Sequence, residues 1–126
     1  MKEIKSYRDL LVWQKAMDLA EKIYKSTSDF PKSEIYTLTS QMRRAAVSIV
    51  SNIAEGRGRD SILEYIHFLS IACGSLTELE TQIMLSAKLT YLKEEQATHL
   101  LSLCDEIGRM LGVLRRKLKD RAETNT

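Results

Sequence analysis

The sequence predicts an all-α protein, an antiparallel up-down-up-down left-handed four-helix bundle. Apolar residues recur at spacings of three and four in four long stretches, the period of a one-sided helix. One proline and five glycines in 126 residues leave those stretches almost unbroken. Aromatics supply only 6% of the chain, and the abundance of Leu, Ala, Glu, Lys and Arg suits helices. The length fits one domain, over residues 1–121, with a polar tail at 122–126.

The first helix is expected over about 8–25. Ser6 and Asp9 have capping-box spacing. Leu10, Trp13, Met17, Ala20 and Tyr24 form its main stripe, widened by Val12, Ala16 and Ile23. Pro31 marks the following loop. The second helix is expected over about 33–56, with Ile35, Leu38, Met42, Ala45, Ala46, Ile49 and Ile53 inward and Gly56 as a left-handed terminator.

The third helix, about 61–89, opens with Ser61 and Glu64 at capping-box spacing. Its heptad is Ile62, Tyr65, Leu69, Ala72, Leu76, Leu79 and Ile83. The fourth, about 93–121, repeats Leu100, Leu103, Cys104, Ile107, Leu111, Leu114 and Leu118. Short loops between long amphipathic helices make neighbours antiparallel. Heptad spacing implies left-handed crossings near 20°.

Several classes of function fall away. No apolar run approaches the ~20 residues of a membrane span, and the N-terminus lacks a signal-peptide core, so no membrane partner is expected and the cytoplasm is the expected location. Cys73 and Cys104 lie on apolar faces and read as buried, reduced thiols. Glu64 and His67 have the Glu-x-x-His spacing of di-iron bundles, but no second pair exists, so neither metal nor cofactor is expected. Neither His67 nor His99 stands beside an evident nucleophile, and the chain reads as a non-enzyme.

The segments YRDLLVWQKAMDLAEKIY, FPKSEIYTLTSQMRRAAVSIVSNIAEGRGR and ACGSLTELETQI carry a resemblance spanning nearly the whole chain. The chain resembles the four-helix bundle proteins encoded in intervening sequences of bacterial 23S ribosomal RNA genes. The resemblance implies a bacterial, cytosolic homo-oligomer, a ring of five, with a link to RNA or the ribosome. A related group, the accessory proteins of diversity-generating retroelements, uses a similar pentamer to bind a reverse transcriptase and nucleic acid. Lys93 stands where a capping serine is often seen in the family.

Within this frame the charged residues sort into roles. Arg43 falls among Val47, Val50 and other apolar residues, which suggests a subunit interface or a buried ion pair. Glu80, on an apolar arc of the third helix, needs a cation or several donors, and Arg43 and Asn52 are its candidate partners, within or between subunits. The competing reading is a snorkelling arginine and a boundary glutamate.

Two basic groups remain. Arg44, Arg57 and Arg59 gather toward the end of the second helix, and Arg115, Arg116, Lys117, Lys119 and Arg121 crowd the end of the fourth. Such charges complement helix dipoles in a monomer. Repeated around a ring they form a positive annulus able to hold phosphates. The sequence thus predicts RNA contact through the backbone, with a protein scaffold recruiting a partner such as a reverse transcriptase as the alternative. Gly108 and Gly112 read as close-packing positions, within the bundle or between subunits.

Overall fold

The computed structural model describes residues 4–124. Four helices form the bundle: α1 (Leu11–Thr27), α2 (Leu38–Arg57), α3 (Ile62–Lys88) and α4 (Glu94–Thr124). Single 3-10 turns, Tyr7–Asp9 and Lys32–Glu34, precede α1 and α2. Packing runs around a square, α1 on α2, α2 on α3, α3 on α4 and α4 on α1, with α2 against α3 the most extensive. The short connections make each neighbour antiparallel.

The core holds Leu19, Ile23, Met42, Ile49, Ile53, Leu69, Leu79, Ile83, Ile107 and Leu111, all fully buried. The heptads of α3 and α4 read the core well, apart from their edges: Ile62, Tyr65, Leu103 and Leu114 are half-buried. In α1 the two stripes share the core. Val12, Ala16, Leu19, Ala20 and Ile23 are buried, Leu10 and Trp13 pack against them, and Met17 and Tyr24 are exposed. Both sets have helical spacing, and only tertiary packing chooses between them.

The helix ends differ from expectation for local reasons. The Ser6–Asp9 capping box forms, but it caps the 3-10 turn, and an extended Leu10 separates that turn from α1. Ile35 lies before α2 and is exposed, and Tyr36 beside it is 92% exposed. At the start of α4 the Gln96 side chain accepts the Lys93 N–H at 3.0 Å, so half a capping box survives without serine. The tail expected from 122 is helical through Thr124, with 125–126 outside the described residues.

Gly56 is not a left-handed terminator. It sits buried inside α2, and an added Cβ there would lie 2.9 Å from Tyr65 Cδ1 and 3.2 Å from the Tyr65 carbonyl oxygen. The glycine lets the end of α2 approach the start of α3. The left-handed residue among those described is Thr90, at φ 64, after α3. Its N–H reaches the Ala87 carbonyl, and the Tyr91 N–H reaches that of Ser86, the Schellman pattern.

Candidate nucleic-acid interface

Because neighbours are antiparallel, α2 and α4 finish at the same end of the bundle, where α1 and α3 begin. Arg57, in the last turn of α2, Arg59 just beyond it, and Lys117 and Arg121, one turn apart on α4, surround a cavity of about 360 Å³ there. Tyr65 and Leu118 supply part of its floor. Burial pushes the Tyr65 phenol above its ordinary pKa, while the charges of Arg57 and Arg121, which line the same cavity, pull it down.

Arg59 is engaged. It donates to Glu55 at 2.7 Å and lies 4.7 Å from the Phe68 ring centroid. Among the described residues Arg57, Lys117 and Arg121 have no carboxylate within ion-pair distance, although Asp60 lines the same cavity. Four cations and one carboxylate at this mouth leave a positive balance that suits a polyanion. Arg57 and Arg121 also stand in the last turns of their helices, whose dipoles favour positive charge.

Other expected members of the site lie elsewhere. Arg44 is thirteen positions before Arg57, about 20 Å along the helix axis. It is exposed and lines a separate hollow of about 430 Å³ with Tyr24, Ile35 and Ser40. Arg115 turns inward onto α3, donating to Ser70 Oγ at 3.1 Å and to Cys73 Sγ at 3.7 Å. Those contacts remove it from a phosphate-binding surface. Arg116 and Lys119 are exposed on α4 and do not line the cavity. Arg121 belongs to the basic group expected at the end of α4, whereas Tyr65 reads from sequence only as a heptad position, because nothing local says which turn of α4 meets α3 and α2.

The proposed partners of Arg43 also change. Its Nε donates to Thr27 Oγ1 at 2.9 Å, its Nη2 reaches the Tyr24 carbonyl at 3.3 Å, and its guanidinium lies 4.8 Å from the Tyr24 ring centroid. Within the subunit Arg43 therefore serves α1 and does not meet Glu80. Glu80 is half-buried, and its charge, after burial, helps hold the Cys104 thiol up at about 12. Asn52 donates to the Ser48 carbonyl and to Ser48 Oγ, which in turn meets Ser75 Oγ at 2.8 Å. That polar seam joins α2 to α3, so Asn52 serves packing. Val50 is buried in the core, whereas Val47 remains exposed.

The outer face of α3 mixes exposed apolar and charged residues. Leu63, Ile71 and Leu85 are exposed on the side away from the core. Gly74 falls on the same side, and a Cβ there would meet nothing within 4 Å. This dresses α3 so fully that, by length and composition alone, it could cross a bilayer, contrary to the sequence expectation. It nevertheless carries Glu64, Glu78 and Glu80 and buries Leu69, Ala72, Leu76 and Leu79 in the shared core, as a core helix does. Cys73 is half-buried and only Cys104 is fully buried; both are free thiols. A Cβ on Gly108 would touch Leu76 at 3.4 Å, and one on Gly112 would touch nothing, so Gly112 has no packing role inside the subunit.

The family model for the 23S rRNA-intervening sequence protein matches residues 8–113. Among solved structures the chain is similar to a protein from Bacteroides thetaiotaomicron described as of unknown function and from the S23 ribosomal protein family. The two are 25% identical with a TM-score of 0.76, over 83% of this chain and 98% of that one. No curated protein matches the chain.

Proposed function

Because the chain belongs to the 23S rRNA-intervening sequence protein family, we propose that it is a non-enzymatic, self-assembling cytoplasmic bundle that holds RNA phosphates at its basic end. The observation that carries this reading is the meeting of Arg57, Lys117 and Arg121 at one cavity with no carboxylate paired to them among the described residues. Such cations attract a polyanion by releasing its counterions, and they carry little information about base sequence. Arg59 is held beside them by Glu55 and Phe68 and adds a fixed charge to the rim.

Assembly multiplies this weak site. Copies arranged around an axis place the same three cations at each position, and a field of repeated charge raises local phosphate occupancy beyond what one subunit achieves. The exposed Leu63, Ile71 and Leu85 on one side of α3 support assembly, since exposed apolar residues gathered on one surface mark interaction sites. Five copies is the number the family resemblance implies. Binding of an RNA duplex and of a single strand, measured across salt, tests the reading. Both should bind, with similar affinity and steep salt dependence.

A further inference from the structure

The cavity at the basic end has two characters. Its rim is charged, but Ile4, Leu10, Ile62, Leu114 and Leu118 line it as well. A stretch of duplex backbone satisfies the rim and leaves those aliphatic side chains with nothing apolar to meet. At about 360 Å³ the cavity falls at the small end of the roughly 300–1,000 Å³ of small-ligand sites, room for one nucleotide and not for a helix of RNA. Tyr65 stands between the two characters. Its ring rests on the α2 backbone at Gly56, where an added Cβ would lie 2.9 Å from Cδ1. Among the described residues its hydroxyl has no hydrogen-bond partner, so it is free to donate to a ligand. Ser61 caps α3 at the same cavity, and the first N–H groups of that helix lack helical partners, which favours an anion there.

These groups divide as the parts of a nucleotide do. Arg57, Lys117 and Arg121 suit a phosphate, and the aliphatic floor suits the face of an unstacked base. A terminal phosphate carries about −1.5 to −2 charges and three acceptor oxygens, more than a phosphate inside a strand offers. We propose that the cavity binds one unpaired nucleotide by its terminal phosphate, with the base on the aliphatic floor. The nucleotide is either free or the end of an RNA strand. The Tyr65 hydroxyl donates to the phosphate. Asp60, the carboxylate that lines the cavity, accepts from the ribose hydroxyls, which are donors. This rests on the phosphate site proposed above and names its ligand. RNA that ends in a hydroxyl engages the rim alone, duplex and single strand alike, and a terminal phosphate on an unpaired nucleotide adds the cavity.

Calorimetric titration of the whole protein tests the assignment. Adenosine 5′-monophosphate should bind at least about tenfold tighter than adenosine or inorganic phosphate, since each part holds the other in place. A single strand with a 5′-phosphate should bind about tenfold tighter than the same strand with a 5′-hydroxyl, the worth of one hydrogen bond to a charged group. Tyr65→Phe keeps the ring on Gly56, and circular dichroism checks its fold. It should remove most of both advantages and leave the 5′-hydroxyl strand bound as in the wild type. An advantage for the mononucleotide without one for the 5′-phosphate strand assigns the cavity to free nucleotide, and both together assign it to RNA ends. Mononucleotide binding no tighter than phosphate, or Tyr65→Phe indistinguishable from wild type, overturns the assignment. Salt-dependent binding of the 5′-hydroxyl strand in that case leaves the proposed function standing. Absence of binding by RNA, mononucleotide and phosphate alike overturns both.

Discussion

The Nε of Arg43 donates to Thr27 Oγ1 at 2.9 Å, and the Thr27 hydroxyl donates in turn to the Ile23 carbonyl at 2.7 Å. An arginine from the second turn of α2 thereby closes the C-terminus of α1, where carbonyls lack helical partners and the dipole favours a cation. Arg44, its neighbour, faces solvent. Arg43→Ala should cost about 1.5–3 kcal/mol, the worth of hydrogen bonds to a charged donor. Arg44→Ala should stay within about 0.5 kcal/mol of wild type. Urea denaturation of both variants checks this, and equal losses would remove the distinction.

Glu34 binds three elements together. Its carboxylate accepts from the Thr37 hydroxyl and, at 2.9 Å, from the Tyr91 hydroxyl in the α3–α4 connection. These bonds hold its pKa below the usual carboxylate range and the Tyr91 pKa above the usual phenol range. For Glu34 the folded pKa is depressed, so its stabilising effect is present above the unfolded pKa and is lost as pH falls through the folded one. For Tyr91 the folded pKa is raised, so its effect is present below the unfolded pKa and is lost as pH rises through the folded one. Thermal melts of wild type and Glu34→Gln should therefore differ most near neutral pH and converge toward both extremes. A constant difference across pH would contradict this role.

Thr90 occupies a position where glycine is favoured. At φ 64 a β-branched residue is strained, and the Schellman bonds around it hold it there. Thr90→Gly should raise stability by about 1 kcal/mol, through relief of a left-handed penalty of roughly 1–2 kcal/mol partly offset by glycine's greater chain entropy. A drop in stability would mean that the Thr90 side chain contributes more than its strain costs.

Two glycines should respond oppositely to alanine. At Gly56 the new methyl would press on Tyr65 and Phe68, and overpacking of this kind costs about 1–3 kcal/mol. At Gly112 the methyl meets open space, and the helix should gain up to about 1 kcal/mol. Chemical denaturation of the pair measures both signs, and a destabilising Gly112→Ala would show that this face is covered by a neighbour.

Cys104 should be inert in the folded protein. It is fully buried, and burial with the nearby Glu80 charge pushes its thiol up to about 12. The thiolate is the reactive form. At pH 8 a disulfide reagent should label Cys73 first and reach Cys104 only at the rate of unfolding. Rapid native labelling of both would show that the core around Cys104 opens readily.

The bundle was legible in the sequence because heptads in α3 and α4 leave one inward face, and Leu69, Leu79, Ile107 and Leu111 all lie where periodicity puts them. In α1 two stripes had equal claim, and the packing of α2 and α4 decided for Val12 and Ala16 over Met17 and Tyr24. The site was less legible. Charge runs name basic residues without saying where they point: Arg115 in such a run folds onto Ser70, while Lys117 two residues later lines the cavity. The partner of Arg43 was missed because Thr27 carries no charge, and sequence reasoning sought a carboxylate.

The most direct test of the basic end is RNA affinity between about 50 and 200 mM salt for wild type, Arg57→Glu and Arg44→Glu. The wild-type logarithm of affinity should fall linearly with the logarithm of salt. Arg57→Glu should weaken binding at every salt and flatten the slope by about one, while Arg44→Glu, about 20 Å away, leaves both unchanged. Salt-independent binding, or equal losses in the two variants, would contradict the account.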